Sequence, residues 1–320
     1  SVLRRLPAEP SWTMRNAVFD IVNRRLIGGY QDTVADNVGF AIWDLDNGDR
    51  LHLVKMPSAG QTYFNAIDLV EDGSRLAIAD HDAYAVKIWD TTTWQEIITL
   101  TGHTDNVNDV VFNWDGIRLA TASSDGTAKL WDAETGEELL TLEGHNGFVF
   151  GIEFSPDGTQ VATGGVDATA KIWDTASGRE LFTLAGHATG INNVAFSPDG
   201  KQLATDSAEG VKMWDITPEG SRELVTLAGH SDVAFRLDYS PDGSLLATSG
   251  FDGIARVWEL SSGKALHILE GHTHLVYDAE FNIDGSRLAT GSYDGTAIVW
   301  DTTSGRMLLH IEGQCGSIYS

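Results

Sequence analysis

The sequence predicts an all-β fold, a seven-bladed β-propeller of four-stranded antiparallel blades, on three observations. The stretch Gly102–Asp132 (GHTDNVNDVVFNWDGIRLATASSDGTAKLWD) is written again at Gly144–Asp174, Gly186–Asp215, Gly229–Glu259 and Gly271–Asp301. Tryptophans at positions 43, 89, 131, 173, 214, 258 and 300 set a period of 41 to 46 residues. Within each repeat, short apolar runs are separated by Asp-Gly, Pro-Asp-Gly or Ser-Gly, the chemistry of tight hairpins. A unit of this period cannot bury its faces alone, so the blades must close on one another in a ring.

In chain order, residues 1–12 stand outside the repeat. Val2-Leu3-Arg4-Arg5-Leu6, stopped by Pro7 and Pro10, reads as linker from an upstream domain or as a strand along the propeller edge. Residues 13–313 form the seven blades. The first is degenerate: it lacks Gly-His, has a longer second turn at Gln31–Asn37, and sets Phe19 on Phe281, Leu26 on Leu288 and Trp43 on Trp300. The second carries Gly60-Gln61 in place of Gly-His, and blades three to seven are regular. In Phe154–Gly158, Phe196–Gly200 and Tyr239–Gly243, proline pre-sets φ and glycine takes the residue where φ turns positive. Fourth strands such as Glu138–Leu142 and Leu266–Leu269 are expected to alternate apolar with charged residues, as outer strands half in water should. Second strands such as Leu119–Ser123 and Val161–Gly165 carry small residues where sheets crowd together. Residues 314–320 repeat the start of a first strand, Ile318 on Val276 and Tyr319 on Tyr277, and read either as the start of a further repeat or as a ring-closing tail.

The formal net charge of −25 repels phosphate, which argues against nucleic acid and anionic membrane and favours a basic protein partner. Cys315 is the sole cysteine and no Asn-x-Ser/Thr sequon or long apolar run occurs, so a reducing cytoplasm is the simplest setting. The histidines lack metal-ligand spacing, and half of the ten belong to Gly-His pairs. Asp44-Leu45-Asp46-Asn47-Gly48-Asp49 has part of the spacing of a calcium loop but no liganding Glu, and reads as a hairpin turn. No phosphate-binding glycine loop and no Gly-x-Ser-x-Gly elbow is present. No metal or cofactor is predicted.

The Gly-His and Trp-Asp pairs at this period resemble the WD-repeat family, over about Trp12 to Gly313. The resemblance implies a hydrogen-bonded chain from Trp indole through Ser and His to Asp, matched here by His103, Ser123, Asp125 and Trp131, and by His272, Ser292, Asp294 and Trp300. A triad-like set repeated blade after blade is structural, since a nucleophile is needed once per active site. Gly165 and Gly250 stand where the Ser belongs in blades four and six, and blade five has Glu209 for Asp and is one residue shorter. Only blades three and seven are therefore expected to hold complete chains, and no enzyme is predicted.

The variable positions lie at the rim. The fourth residue after each Gly-His (Val107, Val149, Ile191, Ala234, Val276) is apolar and should point into the stack, so its neighbours point away by the strand period. With the residue before each second-turn acid, these give a face of Asn106, Asn108, Phe148, Phe150, Asn192, Phe235, Phe251, Tyr277 and Tyr293, positions the resemblance marks as partner contacts. Grouped exposed aromatics mark recognition surfaces, although rings can also pack between blades. The expected function is a non-catalytic scaffold that binds a protein or peptide through this top face. The alternative is a sensor domain restraining a fused kinase, nucleotide-binding or transcription-factor module. Such evenly repeated arrays resemble those of bacterial multidomain regulators.

Overall fold

Apolar runs interrupted by glycine turns do become strands, twenty-eight of them among the described residues. The computed structural model describes residues 12–20, 22–32, 37–44, 49–56, 66–80, 82–217 and 220–312, and no helix occurs among them. Blade one is β1 (Trp12–Asp20), β2 (Arg25–Asp32), β3 (Asn37–Asp44) and β4 (Arg50–Met56). Blade two is β5 (Ile67–Leu69), β6 (Arg75–Asp80), β7 (Ala85–Asp90) and β8 (Gln95–Thr101). Blade three is β9 (Val107–Phe112), β10 (Arg118–Ser123), β11 (Thr127–Asp132) and β12 (Glu138–Glu143). Blade four is β13 (Val149–Phe154), β14 (Gln160–Gly165), β15 (Thr169–Asp174) and β16 (Glu180–Ala185). Blade five is β17 (Val194–Phe196), β18 (Gln202–Ser207), β19 (Gly210–Thr217) and β20 (Gly220–Leu227). Blade six is β21 (Ala234–Tyr239), β22 (Leu245–Gly250), β23 (Ala255–Glu259) and β24 (Lys264–Leu269). Blade seven is β25 (Val276–Phe281), β26 (Arg287–Ser292), β27 (Thr296–Asp301) and β28 (Met307–Glu312).

Each blade is one four-stranded sheet in sequence order, so the fold is the all-β, seven-bladed propeller the repeat predicted. The degenerate first blade keeps the register of the seventh. Phe19 pairs with Leu26 and Leu26 with Trp43, as Phe281 pairs with Leu288 and Leu288 with Trp300. Residues 1–11, the tail 314–320, the Gly60-Gln61 pair and most of the calcium-like turn after Asp44 lie outside the described residues.

The turns behave as their residues dictate. In Ser155-Pro156-Asp157-Gly158 the Gly158 N–H donates to the Ser155 carbonyl at 2.8 Å and Gly158 takes φ +68. The second turn of blade four differs, because Ala168 occupies the left-handed position at φ +64 that Gly126, Gly253 and Gly295 fill elsewhere. A β-carbon there meets steric opposition that glycine avoids.

Two compact units carry the blades, one of residues 12–154 with 175–179, the other of 155–174 with 180–312. In the N-terminal unit the cores lie between successive sheets. Phe40, Ile42 and Met56 of blade one meet Leu76, Ile78 and Trp89 of blade two, and Val86, Ile88 and Leu100 of blade two meet Val110, Leu119 and Trp131 of blade three. The C-terminal unit repeats this with Ile172 and Leu184 against Leu203 and Trp214, Met213 and Leu227 against Leu246 and Trp258, and Val257 and Leu269 against Leu288 and Trp300. Burying one such side chain contributes roughly 1.5–3 kcal/mol, so the tryptophan-bearing face of each blade is a large share of its stability.

Beyond their first residue, β6, β10, β14, β18 and β22 are buried throughout. Small residues are required there: a β-carbon on Gly164 would stand 2.6 Å from Ile191 Cγ2. The fourth strands are wetter than an even alternation. In β8, β20 and β24 a single leucine (Leu100, Leu227, Leu269) is fully buried, while Ile97 and Ile268 remain exposed.

First strands are sheet edges with unpaired N–H groups, and carboxylates from the preceding blade take several of them. Asp68 accepts the Phe112 N–H at 2.6 Å, Asp109 the Ile152 N–H at 3.0 Å and Asp238 the Phe281 N–H at 2.6 Å. Each bond ties one blade to the next.

Candidate interaction face

The Gly-His loops sit at one end of their blades because a buried polar chain holds them there. In blade three, hydrogen bonds from Thr127, Thr104 and His103 outweigh the burial that pushes the Asp125 carboxyl up, and hold it at about 2. An ionised Asp125 accepts the His103 Nδ1 proton across 2.8 Å. His103 Nε2 then accepts the Thr121 hydroxyl at 2.7 Å, and Thr121 Oγ1 accepts the Trp131 indole N–H at 2.9 Å. The acid fixes the imidazole tautomer, and each polar group in the chain is satisfied. Blade seven repeats it with His272 to Asp294 at 3.2 Å, His272 to Thr290 at 2.8 Å and Trp300 to Thr290 at 2.9 Å.

The expected serine is therefore not the link. Thr121 and Thr290 bridge indole and imidazole, whereas Ser123 Oγ donates to the Asn106 carbonyl at 2.9 Å and Ser292 Oγ to the Leu275 carbonyl at 2.7 Å. The reason is position along the strand. Thr121 lies two residues from Leu119, the partner of Trp131, while Ser123 lies at the far end opposite Val107. These serines brace the loop by accepting the Asp125 and Asp294 N–H groups, each at 3.1 Å.

Blade six is complete as well, contrary to expectation. His230 reaches Asp252 at 3.0 Å and Thr248 at 2.7 Å, and Trp258 donates to Thr248 at 3.0 Å. Gly250 makes room for it, since a β-carbon there would stand 2.2 Å from His230 Nδ1. Arg256 adds an ion pair to Asp252 at 2.9 Å. In blade four the Trp173 N–H finds Thr163 at 2.9 Å. Blade five keeps Trp214 and His187 on Thr205, both at 2.8 Å, but Glu209 accepts the Ala188 N–H instead. His187 Nδ1 has no hydrogen-bond partner among the described residues. Burial, with Lys212 adding to it, pushes His187 down to about 4. Burial likewise lowers His103, His230 and His272, so these rings are neutral at pH 7. Threonine eighteen residues after each Gly-His histidine, at 121, 163, 205, 248 and 290, was the sequence signal for this link. Thr121, Thr248 and Thr290 are buried and already bonded, so their hydroxyls cannot approach a substrate.

The fourth residues after Gly-His, Val107, Val149, Ile191, Ala234 and Val276, are all fully buried, as the strand period requires. Immediately beyond this position, three of the first strands bulge. The register skips Asn108 in blade three, Phe235 in blade six and Tyr277 in blade seven, leaving each as an extra residue in its first strand. A bulge re-aims its side chain out of the ladder. Each extra residue meets the residue before the second-turn acid of its own blade. Asn108 Nδ2 donates to Ser124 Oγ at 3.0 Å, Phe235 stacks on Phe251 with centroids 5.1 Å apart, and Tyr277 lies 5.9 Å from Tyr293.

In blades six and seven these pairs fuse. Tyr277 stands edge-on to Phe235 at 5.3 Å and to Phe251 at 6.1 Å, and His274, which no repeat pattern marked, lies 4.9 Å from Tyr293. Phe235, Phe251, Tyr277 and Tyr293 are all half-buried. In blade four, Phe148 and Phe150 form a separate edge-to-face pair at 6.2 Å, with Phe148 exposed. Asn106 is half-exposed, but Asn108 also donates to the Val149 carbonyl at 2.8 Å and so ties blade three to β13. Blade five departs from the scheme. Its first strand has three residues, and the Asn192 and Asn193 N–H groups are taken by Asp206 Oδ1 at 3.0 and 2.7 Å. Asp206 is fully buried, which pushes its carboxyl far up.

Among the described residues no group of three or more His, Cys, Asp or Glu side chains could hold a metal ion, and no helix is long and apolar enough to cross a membrane. The family model described as WD domain, G-beta repeat matches residues 94–132, 136–174, 178–215, 221–259 and 263–301. Each match takes in the outer strand of one blade and the inner strands of the next, which links neighbours covalently. The inner strands of blades one and two fall outside the matches, and the structure supplies them. No curated protein matches the chain as a relative. Propellers of this family commonly serve as protein-interaction scaffolds and are typically not enzymes. With repeats matched over more than half its length on seven four-stranded blades, the chain belongs to the WD-domain, G-beta repeat family.

Proposed function

We propose that this chain is a non-catalytic platform that binds a protein or peptide through the Gly-His ends of its blades. The contact face comprises Asn106, Phe148, Phe150, Asn192, Phe235, Phe251, Tyr277 and Tyr293, with Asn108 bracing it. The observation that carries this reading is the continuous set of half-buried rings on blades six and seven. Rigid aromatic surface binds at low entropic cost, and rings grouped where they keep contact with solvent mark recognition surfaces. The hydroxyl–imidazole–carboxylate sets support a non-catalytic role, because they recur in at least three blades and end on buried threonines. One cysteine in the chain fits a reducing cytoplasm.

Affinity capture from the native host, comparing the native chain with a Phe235→Ala/Tyr277→Ala double variant of matching thermal stability, tests the proposal. Proteins lost from the variant, and shown to bind the purified native chain directly, support it. Identical recovery by both proteins rejects it.

A further inference from the structure

Resting on the platform reading, we infer that the ring set on blades six and seven recognises a basic segment through an arginine side chain laid against Phe235 and Tyr277. Two independent observations converge on this chemistry. The first is ring geometry. Phe235 and Phe251 stack at 25° between planes, and Tyr277 stands at 80° and 75° to them. Half-buried rings at near right angles present aromatic surface in more than one orientation, and a π-face attracts a cation within about 6 Å. A guanidinium is the cation suited to it, being planar, weakly hydrated and able to stack while its N–H fork bonds elsewhere.

The second observation is charge. The chain carries −25 overall, and acids crowd the strands that hold the rings. Asp278 follows Tyr277 on β25 with its side chain 43% exposed, Glu280 is exposed on the same strand, and Asp232 is exposed on the loop entering β21. Arg236, next to Phe235, lies 3.8 Å from Asp278 Oδ1 and offsets part of that charge. Aromatic rings on strands that also carry exposed carboxylates, in a chain of −25 net charge, favour a cation over an apolar side chain. An acidic segment would meet uncompensated repulsion.

Blade three supplies the internal contrast. At the same bulge position it carries Asn108, whose amide is spent on Ser124 and the Val149 carbonyl. The bulge is common scaffolding, and its aromatic version on blades six and seven is the feature that calls for a ligand.

A random peptide library displayed on phage, panned on the purified full chain and counter-selected on a Phe235→Leu/Tyr277→Leu variant, tests the inference. Leucine keeps the apolar bulk and removes the π-face, and thermal melting establishes that the variant folds. Survivors should be enriched in arginine. A synthetic survivor peptide should bind at least about tenfold more weakly when its arginine becomes norleucine, and several-fold more weakly with lysine. Survivors without basic residues, or a norleucine peptide that binds equally well, overturn the arginine assignment and leave the platform standing. Absence of any ring-dependent survivor overturns both.

Discussion

Thr121 Oγ1 lies 2.7 Å from His103 Nε2 and 2.9 Å from Trp131 Nε1, one buried hydroxyl serving a base and an indole at once. Replacing it with the near-isosteric valine leaves both nitrogens without a partner, so Thr121→Val should destabilise by about 2–4 kcal/mol. Ser123→Ala, which removes loop bracing alone, should cost about 1 kcal/mol. Urea midpoints of the two variants rank them, and a larger loss for Ser123→Ala would restore serine as the link.

Gly250→Ser converts blade six to the residue of blades three and seven, and a family pattern would rate it harmless. The space is occupied by His230 and Asp252, which a β-carbon would approach to 2.2 and 2.6 Å. A loss of about 2 kcal/mol or more is predicted, in the range of overpacked core substitutions. Wild-type thermal stability in this variant would refute the packing account.

At position 168 the prediction is a gain. Ala168 holds φ +64, and relief of left-handed strain should let Ala168→Gly stabilise the chain by up to about 1 kcal/mol, the added freedom of the unfolded chain offsetting part. Calorimetry should show a small upward shift in Tm. A decrease would mean that the alanine methyl group makes contacts worth more than the strain.

Stability should depend on pH from both sides. His187 stands at about 4 against an ordinary 6.5, so the neutral folded form loses stability as pH falls from 6.5 towards 4. Asp125, at about 2 against 3.8, contributes stability that is complete above the ordinary value and lost as pH falls through about 2, a contribution of about 1–2 kcal/mol. Asp238 acts in the opposite sense. Burial, aided by Asp278, pushes it up to about 7 despite the Phe281 N–H, so it favours folding at low pH and loses that contribution as pH rises from about 4 to about 7. Asp238→Asn keeps an acceptor for Phe281 and should raise the urea midpoint at pH 8 relative to wild type, by more than at pH 5, while changing little at about pH 4. Parallel profiles for the two proteins would remove Asp238 from the account.

The candidate face was legible in part. The buried fourth residue after Gly-His came from strand period alone, and so did the rim positions on either side of it. The bulges at Asn108, Phe235 and Tyr277 were not legible, because an extra residue shows itself only when a second strand is laid beside the first. For the same reason Asn108 read as a contact residue, although its amide is committed to the Val149 carbonyl. His274 and the fusion of two ring pairs into one set belong to neighbouring blades and leave no trace in a single repeat.

By itself, the sequence determined the number of blades, their strand order and the residues at their turns. Those depend on local chemistry: a glycine where φ is positive, a proline where it is fixed, and a period repeated often enough to be unmistakable. Tertiary structure alone decided which hydroxyl completes the histidine chain, why glycine suits blade six, and which rings meet. Each of these is a distance between atoms on different strands, and side chains from strands far apart in the chain compete for the same few ångströms only once the sheets have packed.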